Sequence, residues 1–100
     1  MANSPESLLP TAEPISLIGQ DGAAVENSDY SMPDDPTLLA GYGALVAGRR
    51  INDQAYALVR QGRLAVYPSS HGQEACQVAA ALALGANDWL FPTYRDTVAV

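Results

Sequence analysis

The sequence contains no lysine, one cysteine and one histidine. Its five basic residues are all arginine, set against eleven carboxylates, for a formal net charge of −6. That balance excludes nonspecific nucleic-acid binding, which needs clustered cations against phosphate. Long hydrophobic runs are also missing. A membrane-spanning helix needs about 18 or more apolar residues without charge, and no such stretch occurs. Met1-Ala-Asn-Ser-Pro-Glu6 has neither a basic leader nor an apolar core, so it does not read as an export signal. Cys76 alone cannot close an internal disulfide, which fits a reducing, cytoplasmic location. His71 and Cys76 supply no usable set of metal ligands. His71 lies next to Ser69 and Ser70, but adjacency fixes no geometry for nucleophilic catalysis. Gly41-Tyr-Gly43 is no phosphate-binding loop.

What is present is unevenly spread. Apolar residues make up 48% of the 100 positions, enough for a core and against wholesale disorder. The length suits one small domain or a piece of a larger one. Residues 1–35 carry seven carboxylates and no base, whereas residues 36–100 carry four carboxylates and all five arginines. Pro5, Pro10, Pro14 and Pro33 break helices, so residues 1–35 read as an acidic, extended N-terminal arm. Ile15-Ser-Leu-Ile18, followed by Asp21-Gly22, is a short extended segment ending in a turn. Two readings of the arm stay open: a flexible acidic tail, or a strap that docks on another subunit through this island.

Residues 36–100 read as mostly helical. Pro36-Thr37 opens a helix of about 25 residues, and Gly62 stops it with Arg60 in its last turn. Leu38, Tyr42, Leu45, Tyr56 and Val59 form its expected apolar stripe, widened by Leu39, Val46 and Leu58. Gly41, Gly43 and Gly48 each cost about 1 kcal/mol relative to alanine, so the helix needs packing, and small residues let another backbone approach. Arg63–Pro68 is a connection or short strand. Ser70 and Gln73 have capping-box spacing before a second helix, with Glu74 in its first turn. From Ala75 to Leu84 the one polar residue is Gln77, which predicts burial on all sides, Cys76 included, and Gly85 closes the helix. Trp89-Leu-Phe91 reads as a brief core strand. Thr93 and Asp96 again have capping-box spacing, so Thr97–Val100 reads as a helix beginning. Two helices that need burial, with almost no sheet, predict the N-terminal part of a longer protein rather than a complete small helical domain.

Thr93-Tyr-Arg-Asp96 is the strongest candidate for chemistry. A helix start offers free N–H groups, an arginine adds a bidentate fork, and a tyrosine hydroxyl adds a donor. An ion pair between Arg95 and Asp96 would explain the arginine equally well. Further residues decide between the two. Arg60-Gln-Gly-Arg-Leu-Ala-Val-Tyr67, Gly72-Gln-Glu-Ala75 and Asp88-Trp-Leu-Phe-Pro-Thr-Tyr-Arg-Asp96 stand in order at matching spacing. Together with Gly48-Arg-Arg50 before Asp53, they closely resemble the alpha subunit of the thiamine-diphosphate-dependent 2-oxo acid dehydrogenases. These are the decarboxylating components of pyruvate and branched-chain 2-oxo acid dehydrogenase complexes. The resemblance covers about residues 37–100, and more loosely residues 12–22.

The resemblance implies an α/β thiamine-diphosphate-binding fold in the full subunit, of which residues 36–100 would be the truncated first part. Tyr94 and Arg95 match the pair that hydrogen-bonds the cofactor's diphosphate. Val66, Pro68 and Thr93 match positions lining the substrate end of the pocket. Some pyruvate-specific relatives have a histidine where Pro68 stands, so the choice of oxo acid stays open, with pyruvate favoured over a branched chain by Gly72-Gln-Glu-Ala75. Gln73 and Glu74 are expected to fix the helix start and a neighbouring loop, and His71 to be surface or capping. The implied activity is oxidative decarboxylation of a small 2-oxo acid with acyl transfer to a lipoyl group. The implied partners are a beta subunit in an α2β2 heterotetramer and a lipoyl acyltransferase core. The ligands of the implied Mg2+ and the catalytic groups would lie outside these 100 residues, which are expected to be inactive alone. A reading of another class is a non-catalytic helical interaction module that uses the acidic arm as its contact.

Overall fold

The computed structural model describes residues 13–100, so the part of the acidic arm that precedes Glu13 lies outside the described residues. The chain divides into a unit that reaches Pro33 and a second unit from Asp34 to Val100. In the first, Asp21 Oδ1 accepts the Ala23 amide at 3.1 Å. Gly22, at φ +81°, turns the chain, and Ile18 and Ala24 pair as an isolated antiparallel bridge. The expected extended segment and turn are therefore present.

The second unit holds two helices, α1 (Asp35–Arg60) and α2 (Glu74–Leu82), and no strand is found among the described residues. Neither helix is long and apolar enough to cross a membrane. α1 begins where Asp34 Oδ1 accepts the Thr37 amide at 3.0 Å, with Pro36 in the first turn. It ends in a Schellman motif. Gly62, at φ +69°, donates to Val59 O at 3.0 Å, and Arg63 donates to Leu58 O at 3.0 Å. A side chain at 62 would be strained in that backbone conformation.

The inward face of α1 differs from the expected stripe. Gly41, Ala44, Leu45, Gly48, Asn52, Ala55 and Val59 are buried or half-buried, whereas Leu38, Leu39, Tyr42, Val46 and Tyr56 are exposed. Leu45, Leu58 and Val59 of the expected stripe are half-buried, and beside them small residues face the rest of the unit where neighbouring segments come close. A Cβ at Gly48 would stand 2.5 Å from Val98 Cγ1, and one at Gly41 would stand 3.5 Å from Leu82 Cδ1.

Several expectations for the rest of the unit fail. Ser70 and Gln73 form no capping box: Gln73 makes no side-chain cap bond, and the Ser70 hydroxyl is drawn into the interior. α2 ends at Leu82, before Gly85, because Gly85 instead closes a turn in which its amide donates to Asp88 Oδ2 at 2.7 Å. α2 buries Glu74, Gln77 and Val78 and leaves Cys76 exposed, so it is covered on one face and not on all sides. Trp89 and Phe91 are 82% and 85% exposed, neither strand nor core. Thr97–Val100 continues as a turn, with Ala99 N donating to Asp96 O at 3.2 Å.

Candidate functional site

The segment 93–98 is built by its own turns and then fixed from two sides. Asp96 N donates to Thr93 O at 3.1 Å, and Asp96 Oδ2 accepts the Thr93 amide at 2.7 Å and its hydroxyl at 2.8 Å. The Thr93 amide, and then its hydroxyl, hold the Asp96 carboxyl below its usual range. Tyr94 and Arg95 therefore project from a turn rather than from a helix start. The anion-binding potential here comes from their side chains, without the free N–H groups of a helix end.

Arg95 does not pair with Asp96. Its Nη1 donates to Ser69 O at 3.0 Å, and its Cζ lies 5.5 Å from the centroid of the Tyr94 ring. Among the described residues no carboxylate pairs with Arg95; the ion pairs there are Arg49–Glu74 and His71–Asp53. A guanidinium carries five N–H donors, so one bond to a carbonyl leaves most of the fork and its full charge for a ligand. Tyr94 is 73% exposed. The bond to Ser69 O ties Arg95 to the residue that follows the half-buried Pro68, whereas Val66 is exposed and makes no hydrogen bond that ties it to the turn. Of the five expected site residues, Thr93, Tyr94 and Arg95 share one turn, which Arg95 ties to the 67–70 loop through Ser69 O.

A buried polar network underlies that turn. Asn52, on α1, is fully buried. Its Oδ1 accepts from Tyr67 Oη at 2.8 Å and from the Ser70 amide at 3.1 Å, and its Nδ2 donates to Ser70 Oγ at 2.9 Å. Tyr67 Oη also lies 2.9 Å from Thr97 Oγ1, so α1, the 67–70 loop and the 93–98 turn meet at one amide. From α2, Gln77 Nε2 donates to Arg95 O at 2.9 Å and its Oε1 accepts the Val98 amide at 3.0 Å. Every buried side-chain N and O among the described residues has a partner.

Glu74 secures the start of α2. Its Oε1 accepts Arg49 Nε at 2.6 Å and its Oε2 accepts the Gly72 amide at 2.7 Å. The Arg49 guanidinium does most to lower the Glu74 carboxyl, which stands at about 2. The expectation that Glu74 fixes the helix start and a neighbouring loop therefore holds, while Gln73 makes no side-chain cap.

Ser69, His71 and Asp53 do come together: Ser69 Oγ lies 2.7 Å from His71 Nδ1, and His71 Nε2 lies 3.0 Å from Asp53 Oδ1. The residue types are those of a hydrolytic triad. Ser69 Oγ, however, also accepts the His71 amide at 3.2 Å, which marks a local serine turn, and the histidine and aspartate stand in solvent. Among the described residues no group of three or more His, Cys, Asp or Glu side chains could hold a metal ion.

The sequence of the family described as "Dehydrogenase E1 component" matches residues 42–100. The alpha subunit of 3-methyl-2-oxobutanoate dehydrogenase from Mycobacterium tuberculosis is 42% identical over 86 residues, which is 84% of this chain and 23% of that protein. The pyruvate dehydrogenase E1 component subunit alpha of Acholeplasma laidlawii is 38% identical over 78 residues, covering 77% of this chain and 22% of that protein. The mitochondrial 2-oxoisovalerate dehydrogenase subunit alpha 2 of Arabidopsis thaliana is 30% identical over 80 residues, 80% of this chain and 17% of that protein. The chain thus spans about a quarter or less of the length of these relatives. No solved structure matches it.

Proposed function

Because the chain belongs to the dehydrogenase E1 component family, we propose that it serves as the first part of a 2-oxo acid dehydrogenase alpha subunit. Its task there is to hold the diphosphate end of thiamine diphosphate through Tyr94 and Arg95. The observation that carries this reading is the state of Arg95: an exposed guanidinium, braced on Ser69 O and unpaired with any carboxylate among the described residues. A diphosphate matches such a fork in charge and geometry, and the Tyr94 hydroxyl adds a donor. When bound, the cofactor supplies the electron sink for decarboxylation, and the protein supplies orientation and electrostatics.

Each neighbouring residue has a defined part. Thr93, through its bonds to Asp96, shapes the turn that presents Tyr94 and Arg95. Pro68 and Val66 offer apolar surface at the substrate end, suited to the short alkyl chain of a 2-oxo acid. The Mg2+ that accompanies the diphosphate would be held by residues outside 13–100. Completing the reaction, with acyl transfer to a lipoyl group on an acyltransferase core, belongs to an α2β2 assembly with a beta subunit. The relatives' names divide between pyruvate and branched-chain substrates, so turnover of pyruvate and of 3-methyl-2-oxobutanoate by the assembled enzyme decides between them.

Arg95→Ala in the assembled alpha–beta enzyme is expected to weaken thiamine diphosphate about tenfold or more, the loss of a charge-assisted hydrogen bond. Calorimetric titration of the cofactor checks it, and an unchanged affinity would sink the assignment.

A further inference from the structure

We infer that Gln77 is a positioning residue for the cofactor's diphosphate, acting through the backbone of Arg95; this rests on the reading of Tyr94 and Arg95 given above. Gln77 is 6% exposed, and both ends of its amide are spent on one short stretch of chain. Nε2 donates to Arg95 O and Oε1 accepts from Val98 N, so the backbone partners fix which way the amide points. The amide therefore spans the turn that carries the guanidinium. α2 holds the Arg95 backbone from beneath while Ser69 O holds the guanidinium from the side, and Val98 packs against Gly48 of α1. With the main chain and one side-chain nitrogen both anchored, the remaining donors of Arg95 have a defined origin before any ligand arrives, and such preorganisation raises affinity.

The two bonds need a donor and an acceptor together at the tip of the side chain, which the glutamine amide supplies. Glutamate keeps the acceptor for Val98 N but puts a carboxylate oxygen against Arg95 O. Methionine keeps the volume and loses both bonds. α2 needs neither bond for its own hydrogen-bond ladder, so the two contacts act on the turn rather than on the helix.

The test uses the assembled alpha–beta enzyme with Mg2+ and calorimetric titration of thiamine diphosphate into unaltered enzyme, Gln77→Glu and Gln77→Met. The dissociation constant is expected to rise about fivefold or more in both variants, the size of at least one lost hydrogen bond. kcat at saturating cofactor and KM for the 2-oxo acid should stay at their unaltered values. In an Arg95→Ala background, Gln77→Met should change cofactor affinity far less, because the two residues act on the same contact. Unchanged affinity in the Gln77 variants, or equal effects in both backgrounds, would overturn the inference. Failure of both variants to assemble would overturn it too, by assigning Gln77 to the subunit's fold. Loss of affinity in Arg95→Ala with none in the Gln77 variants sinks this inference alone, whereas unchanged affinity in Arg95→Ala sinks the reading beneath it.

Discussion

Gly48 is where α1 and the site turn touch, and its missing side chain is what lets them do so. A Cβ there would stand 2.5 Å from Val98 Cγ1 and 3.2 Å from Cγ2, so the valine must rotate or the turn that carries it must shift. Alanine gains about 1 kcal/mol in helix propensity, but overpacking costs about 1–3 kcal/mol. Gly48→Ala is therefore expected to destabilise the alpha subunit by about 1 kcal/mol and to displace the turn bearing Arg95. Gly43, on the same helix, has nothing within 4 Å of its Cβ position. Gly43→Ala should stabilise by about 0.5–1 kcal/mol. Thermal midpoints of the two variants in the assembled subunit should move in opposite directions; a shift of the same sign in both would contradict the contact. At this scale the sequence was partly legible. Tyr94 and Arg95 stand out through the motifs around them, since on its own the Thr93-Tyr-Arg-Asp96 run fits an Arg95–Asp96 ion pair equally well. Asn52 and Gln77 do not, because their partners lie 15 or more residues away and appear only once the chain is folded. A signal for Gln77 was nevertheless present: it is the one polar residue between Ala75 and Leu84. For Asn52 the signal was its place on the small-residue face, four residues after Gly48 and three before Ala55.

Among the elements, α1 was readable because its ends are set by local chemistry: Asp34 and Pro36 at one end, Gly62 at the other. The start of α2 departs from the expected capping box because two interactions compete for Ser70. A capping bond to the nearby helix start lost to the buried amide of Asn52, a tertiary contact that sequence spacing does not report. Of the two readings of residues 63–68 the connection is the one that forms, and the strand expected at residues 89–91 does not, since a strand needs a partner ladder and none is found among the described residues. Glu74 took over the start of α2, and its titration makes that role testable. Its folded carboxyl stands at about 2 against an ordinary value of 4.5, so its stabilising effect is full above the ordinary value. That effect is lost as pH falls from about 4.5 toward 2. Glu74→Gln removes the charge that Arg49 engages. The gap in thermal midpoint between unaltered subunit and variant should be widest near neutral pH and should narrow progressively below pH ~4.5. A gap that stays constant down to pH ~3 would show that the Arg49–Glu74 contact does not anchor the helix.

At the scale of the whole molecule, the balance between apolar cover and exposure decides how the chain behaves alone. Among the described residues Val78 is the one buried hydrophobic side chain, at 5% exposure. Leu38, Leu39, Tyr42 and Val46 line an open face of α1, and Trp89, Phe91 and Tyr94 stand in solvent. Burying a valine contributes about 1.5–3 kcal/mol, whereas ordering each residue costs about 1–2 kcal/mol. Polar contacts do not close that gap, because an intramolecular hydrogen bond contributes only about 1 kcal/mol net once its lost bonds to water are counted. The Asn52 and Gln77 networks therefore fix which arrangement forms without supplying the drive to form it. That drive would come from covering the open apolar face of α1 and the aromatic segment, as an assembled alpha subunit would do. The purified 100-residue chain should accordingly unfold over a broad temperature range, with a van't Hoff enthalpy well below the calorimetric one. The same residues within the proposed alpha–beta assembly should melt with the segments that cover them, at a higher temperature than the chain alone. Differential scanning calorimetry of both preparations checks this. A single sharp transition of the isolated chain with matching enthalpies would show that Val78 and its polar neighbours suffice as a core. The aromatic segment would then no longer need cover to explain its composition.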